Sequence, residues 1–163
     1  MCFFLPLFLV VVLDQASKYW ILQCFSLYET REIIPGLFNL TFLTNNGAAF
    51  SILAGQPALW RQLFFISATL VALVIIGIAQ RSYSRDSRWY SIGLGLIAGG
   101  AIGNLIDRIR FAYVVDFLDL HLKGHHWPAF NIADAAISGG VVIFMITSIL
   151  VERRKKQQHS TPI

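Results

Sequence analysis

Apolar residues fall in four long runs, separated by two mixed connections and by short basic stretches. A helix of about 20 mainly apolar residues crosses a bilayer. The runs at about 1–22, 58–80, 89–108 and 133–151 meet that length, and Leu63–Ala79 carries no charge at all. The connections 23–57 and 109–132 read differently. Leu37–Leu43 alternates Phe38, Leu40 and Phe42 with Asn39 and Thr41, the period of a half-buried strand. Asn45-Asn46-Gly47 follows as a turn signal. Val114–Leu122 has β-branched and aromatic residues in a less regular period. The pattern predicts an all-α membrane protein of four transmembrane helices with a small β-rich extracytoplasmic cap. It forms one integral-membrane domain over 1–163, ending in a polar, frayed tail at 152–163.

Composition supports this class. Hydrophobic residues make up 56% and charged residues 13% of the 163, about half the charged share of a soluble domain. Such a mix excludes a disordered chain, a nucleic-acid binder and a disulfide scaffold. The net charge of +4 is concentrated: Arg81, Arg85, Arg88 and Arg153-Arg154-Lys155-Lys156 hold seven of the 13 Lys and Arg. Basic patches beside spans mark their cytoplasmic ends, so both termini are expected in the cytoplasm and the long connections outside. Trp20, Trp60, Trp89 and Trp127 sit at or just beyond span ends, where the headgroup level favours them. The first run reads as a retained span, because Asp14 and Lys18 interrupt its apolar stretch and no basic segment or small-residue cleavage site flanks it. Cys2 and Cys24 lie about 30 Å apart at its two ends, too far to pair.

Ionisable groups inside a span cost about 2.5–3.5 kcal/mol or more and are functional candidates. Asp14, Asp107, Asp116 and Asp134 are the candidates. Asp14 and Lys18 are four apart and share a helix face; a plain neutralised ion pair is the alternative to a direct role. Loss of Asp14 should do more harm to folding or activity than loss of Lys18, since it strands a cation, albeit one that can snorkel, while a stranded carboxylate can take up a proton. Gly95, Gly99 and Gly103 form a small-residue stripe on the third span, and Gly139 and Gly140 give the fourth a smooth face. Asn104 and Arg108 share a face near the third span's outer end. Arg108 could be an interfacial anchor, whereas a lone amide such as Asn104 lacks partners in lipid.

Asn131 is a good helix N-cap, with Asp134 at the third helical position. That purely structural reading of Asp134 stands beside a catalytic one, as a solvated loop carboxylate does for Asp116. Depth favours the second. Asn104 and Asp134 each lie about one turn from an outer helix end, and the loop between those ends carries Asp116. Two carboxylates meeting there, flanked by Asn104, Arg108 and Asn131, cannot both ionise comfortably. They would share a proton and could activate water against a carbonyl. His121, His125 and His126 lack metal-ligand spacing, and no metal or cofactor is expected.

In order along the chain stand Asp14-Gln15-x-x-Lys18, Asn45-x-Gly47-Ala48-Ala49-Phe50, Gly99-Gly100-Ala101-x-Gly103-Asn104-Leu105-x-Asp107-Arg108, Val115-Asp116-Phe117 and Phe130-Asn131-x-Ala133-Asp134. On four spans of this length, the set resembles the lipoprotein signal peptidases, the bacterial signal peptidase II family. The resemblance implies an intramembrane aspartyl endopeptidase of the bacterial cytoplasmic (inner) membrane with its active site near the outer face. It would cleave prolipoproteins just before a diacylglyceryl-modified lipobox cysteine, with the substrate and membrane lipid as its partners. By motif, Asp116 and Asp134 would be the catalytic pair. Asp14, Lys18, Asn45, Gly47, Asn104, Arg108, Asn131 and Ala133 would bind substrate or support the site. Asp107 would stay outside direct contact, and Asp119 would face away from Asp116 on a strand. Ala48-Ala49-Phe50 would let a substrate backbone approach, or form a tight turn. A proton- or ion-coupled transporter uses similar intramembrane residues, but inverted repeats are absent. A small membrane scaffold would need no carboxylate pair.

Overall fold

The structure is a computed structural model that describes residues 1–47 and 58–159. Four long apolar helices carry the fold: α1 (Phe4–Cys24), α2 (Ala58–Tyr83), α3 (Arg88–Phe111) and α4 (Ile132–His159). Between α1 and α2 lie strands β1 (Thr30–Ile34) and β2 (Phe38–Asn45); between α3 and α4 lie β3 (Val114–Leu122) and β4 (His125–His126). The strands form one antiparallel sheet in the order β1-β2-β3-β4. The fold is thus the expected four-helix membrane protein with a small sheet.

Details differ from the pattern reading. α4 runs on to His159, so residues 152–159 of the supposed frayed tail are helical. Glu152–Lys156 at 3.0 Å is an i,i+4 ion pair within that extension, and Lys155 reaches Asp86 at 2.9 Å. β1 and β4 escaped the alternation argument. β1 is an exposed edge with polar Thr-Arg-Glu ahead of Ile33 and Ile34, and β4 has two residues, too few to show a period.

The sheet rests on the end of α1. Ile21 and Phe25 pack with Phe42 of β2 and with Val115 and Phe117 of β3 in one buried cluster. Alternation on β3 turns Val115 and Phe117 into that cluster and leaves Asp116 on the opposite face. Ala112 ends α3 in the left-handed conformation (φ 63°), its N–H bonded to Arg108 O at 3.1 Å, and so sends the chain directly into β3.

α3 is the central and most buried helix, because its glycines allow backbone contact on two sides. Toward α1, a Cβ at Gly99 would sit 2.7 Å from Leu7 O, and one at Gly103 would sit 2.5 Å from Asp14 Oδ2. Toward α4, Gly93 and Gly140 face each other. Gly139 takes no part and faces open space, so the expected smooth face of α4 is served by Gly140. The bond between helices here is dispersion at close range, since lipid removes the hydrophobic drive between them.

This makes a paired test. A methyl on Gly140 would lie 2.6 Å from Gly93 O and 2.7 Å from Ile97 Cγ1. Gly140→Ala should therefore cost about 1–3 kcal/mol, seen as a lower melting temperature in detergent. Gly139→Ala, next to it, should be neutral or slightly stabilising.

Candidate active site

Three helices meet around one buried cation. Lys18 Nζ lies 2.9 Å from Asp14 Oδ2 and 2.9 Å from Asp107 Oδ2, with the lysine 2% and the aspartates 0% and 1% exposed. Every other acceptor here is also partnered. Asp14 Oδ1 accepts Ala133 N–H at 2.9 Å, so a carboxylate from α1 caps the positive start of α4. Asp107 Oδ2 accepts Val115 N–H at 3.1 Å, which ties α3 to β3. Gln15 Nε2 donates to Asp107 Oδ1 at 3.0 Å, Asp14 Oδ2 at 3.2 Å and Gly103 O at 3.1 Å. The spacing argument found the Asp14–Lys18 pair. The second carboxylate and the role of Gln15 come only from the third dimension.

Lys18 also donates to Asn104 Oδ1 at 3.0 Å. That contact fixes the amide's orientation, because its oxygen must face the ammonium. Asn104 Nδ2 therefore points at Asp134 Oδ1, 2.8 Å away. Asn131 is fixed likewise. Its Oδ1 accepts Asp134 N–H at 2.9 Å, and its own N–H donates to Asp134 Oδ2 at 3.3 Å, a reciprocal cap of the kind expected. Its Nδ2 is thereby turned to Asp116 Oδ1 at 2.7 Å, with Val115 O at 3.2 Å and Asn104 Oδ1 at 3.3 Å. From the other side, Asn45 accepts Gly47 N–H on Oδ1 at 3.0 Å and donates Nδ2 to Asp116 Oδ2 at 3.1 Å. The turn at Asn45-Asn46-Gly47 thus aims an amide at the carboxylate.

Asp116 and Asp134 both line a cleft of about 750 Å³ between the sheet and the ends of α3 and α4. Asn45, Gly47, Asn104 and Arg108 share its wall. Arg108 lies over the Phe65 ring at 4.8 Å and reaches Asn104 O at 3.5 Å. The other expected site residues stand behind the wall: Asp14, Lys18, Asn131 and Ala133 are all buried. Asp107 contacts Lys18 and β3. Ala48-Ala49-Phe50 falls outside the described residues. Asp119 projects away from Asp116, to Asn39 at 2.8 Å and His126 at 2.9 Å. The pattern reading missed Leu43, Leu120 and Trp127 as cleft walls. Trp127 read only as a headgroup-level residue, and nothing in its local sequence signals the cleft.

Burial pushes the Asp116 carboxyl up from 3.8 to about 7, and the Asp134 charge pushes the same way. Hydrogen bonds from Asn45 and Asn131, and the Lys18 charge, pull against that rise. The ionised form is thus penalised near neutrality, as a proton-sharing pair of carboxylates requires.

Fold and site together define a multi-pass membrane protein with an acidic cleft at one end of its helix bundle. The family model for signal peptidase (SPase) II matches residues 7–150, and the chain belongs to that family of peptidases. It is 45% identical over 149 residues to the lipoprotein signal peptidase of Geobacter metallireducens, covering 91% of each chain. It is 47% identical over 145 residues to that of Geobacter sulfurreducens, covering 89% of each. Two solved structures are also similar, both bacterial membrane enzymes determined by the in meso method. One has TM-score 0.79 and 29% identity, over 98% of this chain and 92% of its own. The other has TM-score 0.75 and 34% identity, over 87% and 88%.

The buried triad reverses the expectation drawn from an isolated pair. Removing Lys18 leaves two dry carboxylates facing each other, while removing Asp14 still leaves the Lys18–Asp107 pair. Lys18→Met should cost about 3–5 kcal/mol and exceed Asp14→Asn, measured as resistance to denaturation in detergent micelles.

Proposed function

We propose that the protein is an intramembrane aspartyl endopeptidase that removes signal peptides from prolipoproteins, cutting just before the diacylglyceryl-modified cysteine. The single observation that carries this reading is the pair Asp116 and Asp134 on one cleft, each held by Asn131. Names of the relatives supply the substrate class. The basic ends of α2 and α4, at the end of the bundle opposite the sheet, support a cytoplasmic placement of both termini and an outward-facing cleft.

The chemistry needs no metal. One carboxylate is ionised and the other protonated. The ionised one takes a proton from a water as its oxygen attacks the scissile carbonyl carbon, and the protonated one gives its proton to the carbonyl oxygen. The resulting gem-diol collapses, the C–N bond breaks, and the proton taken from water passes to the leaving amine. The other carboxyl recovers its proton from a gem-diol hydroxyl as the new carboxyl group forms. The lipidated substrate arrives already anchored at the depth of the cleft, so the lipid's specific contribution is positioning. A soluble peptide would have to expose unpaired backbone groups on its way in.

The deciding experiment uses purified protein in detergent with a lipidated precursor, scored by the mobility shift of the product. Asp116→Asn and Asp134→Asn should each abolish cleavage while inserting and folding normally; Asp86→Asn, at the far end of the bundle, should stay active. Precursor whose lipobox cysteine is replaced by serine, or left unlipidated, should be cut far more slowly in the same micelles. Substantial activity in either dyad variant removes that residue from the pair, and equal cutting of unlipidated precursor removes the lipid requirement.

Acidity gives an independent check. The shared proton is present below about pH 7 and lost above it, so kcat should fall as pH rises through that region. Asn45 donates to the Asp116 carboxylate and favours its ionised form. Asn45→Ala should move the falling limb to higher pH, read from a pH–rate profile.

A further inference from the structure

The cleft continues past the dyad along the sheet. Asp116 and Leu120 line it from the same strand, four residues apart, which is about 13 Å of extended chain. Trp127 stands beside Leu120, its N–H donating to Leu120 O at 2.8 Å. Leu120 and Trp127 are also walls of a second cavity of about 390 Å³, with Leu37 and Leu122. The two cavities share these two walls, and the second opens on an exposed apolar shelf. Leu120 is 41%, Leu122 63% and Trp127 65% exposed there.

The shelf is held by a polar latch on the reverse of β3. His126, the residue before Trp127, places Nδ1 2.9 and 3.1 Å from the two Asp119 oxygens. Asn39 Nδ2 donates to Asp119 Oδ2 at 2.8 Å, and the His121 ring stacks on His126 at 4.8 Å. Burial would raise the Asp119 carboxyl, but the His126 and Asn39 hydrogen bonds hold it below its ordinary value. The proposed dyad chemistry does not use these residues.

We infer that the shelf is a peptide subsite, taking an apolar side chain of the substrate about four residues beyond the cleaved bond, on the product that keeps the lipidated cysteine. The inference rests on the peptidase reading above. Three observations favour a peptide over an acyl chain. The distance from Asp116 matches an extended chain of that length. The cavity is rimmed by His121, His125 and His126, and the adjoining turn carries Lys123, groups that a stretch of hydrocarbon would strip of water. Finally, the described walls of the second cavity all belong to the sheet and its connections, at the end of the bundle that the proposed topology places outside, where the chain after a membrane-spanning signal peptide must go.

The test uses lipidated precursors in detergent that differ only at the third to fifth residues after the cleaved bond, with leucine or serine at each. Leucine at the matching position should lower KM about tenfold with kcat unchanged. Trp127→Ala should erase that preference. Asp119→Leu should do the same, while Asp119→Asn, whose amide oxygen can still accept from His126, should retain it. Binding of the same precursors to the Asp134→Asn protein scores the subsite apart from the chemistry; a leucine preference there, even without cleavage by the parent protein, supports the subsite and sinks the peptidase reading alone. Equal KM for leucine and serine at all three positions overturns the proposal. So does a preference that survives Trp127→Ala, or a Trp127→Ala defect that follows acyl-chain length instead of peptide sequence.

Discussion

One ammonium group between two carboxylates, in a dry helix bundle, is the constraint on which the rest of the site depends. Lys18 with Asp14 and Asp107 would be prohibitively costly if any member were unpaired. Each carboxylate therefore recruits further donors, and those donors belong to other elements. Ala133 N–H brings the start of α4 to Asp14, and Val115 N–H brings β3 to Asp107. The triad is an electrostatic joint among α1, α3, β3 and α4. The proposed catalytic carboxylates sit one residue beyond two of its attachment points, Asp134 after Ala133 and Asp116 after Val115.

The joint requires backbones close enough for short side chains to meet. The glycines of α3 provide that proximity, Gly103 against Asp14 and Gly100 against the backbone of Ala133. A larger residue at Gly103 would occupy the space of the Asp14 carboxylate. Small-residue packing and the charged cluster are thus two aspects of one arrangement: glycine permits the approach, and the buried charges make departures from it expensive.

From the joint outward, asparagines transmit orientation. Lys18 turns the Asn104 amide, and the capping geometry of α4 turns that of Asn131. Both amides then present N–H groups to Asp134 and Asp116 without placing another full charge beside them. A lysine in their place would favour two ionised carboxylates, which cannot share a proton. Neutral donors allow burial and the neighbouring charge to keep the Asp116 carboxyl near 7, where a pair can act as acid and base.

Much of this was legible in the chain. Four apolar runs, the strand period at 37–43, the Asn-Asn-Gly turn, the Asn131–Asp134 cap and the i,i+4 Asp14–Lys18 pair are local features, dictated by spacing within a few residues. The ordered motifs, read together, also pointed to the family. What spacing could not supply were contacts between residues distant in sequence. Asp107 as the second partner of Lys18 lies 89 positions away, and Leu120 and Trp127 are brought to one wall by a hairpin whose second strand has two residues. Helix continuation past 151 was hidden because a polar, charged sequence can be solvated coil or solvated helix alike. The sequence alone determined which groups must be buried and which could cap or pair locally. Only the tertiary structure decided which buried charge met which partner, because that choice depends on how closely α3 lets α1 and α4 approach.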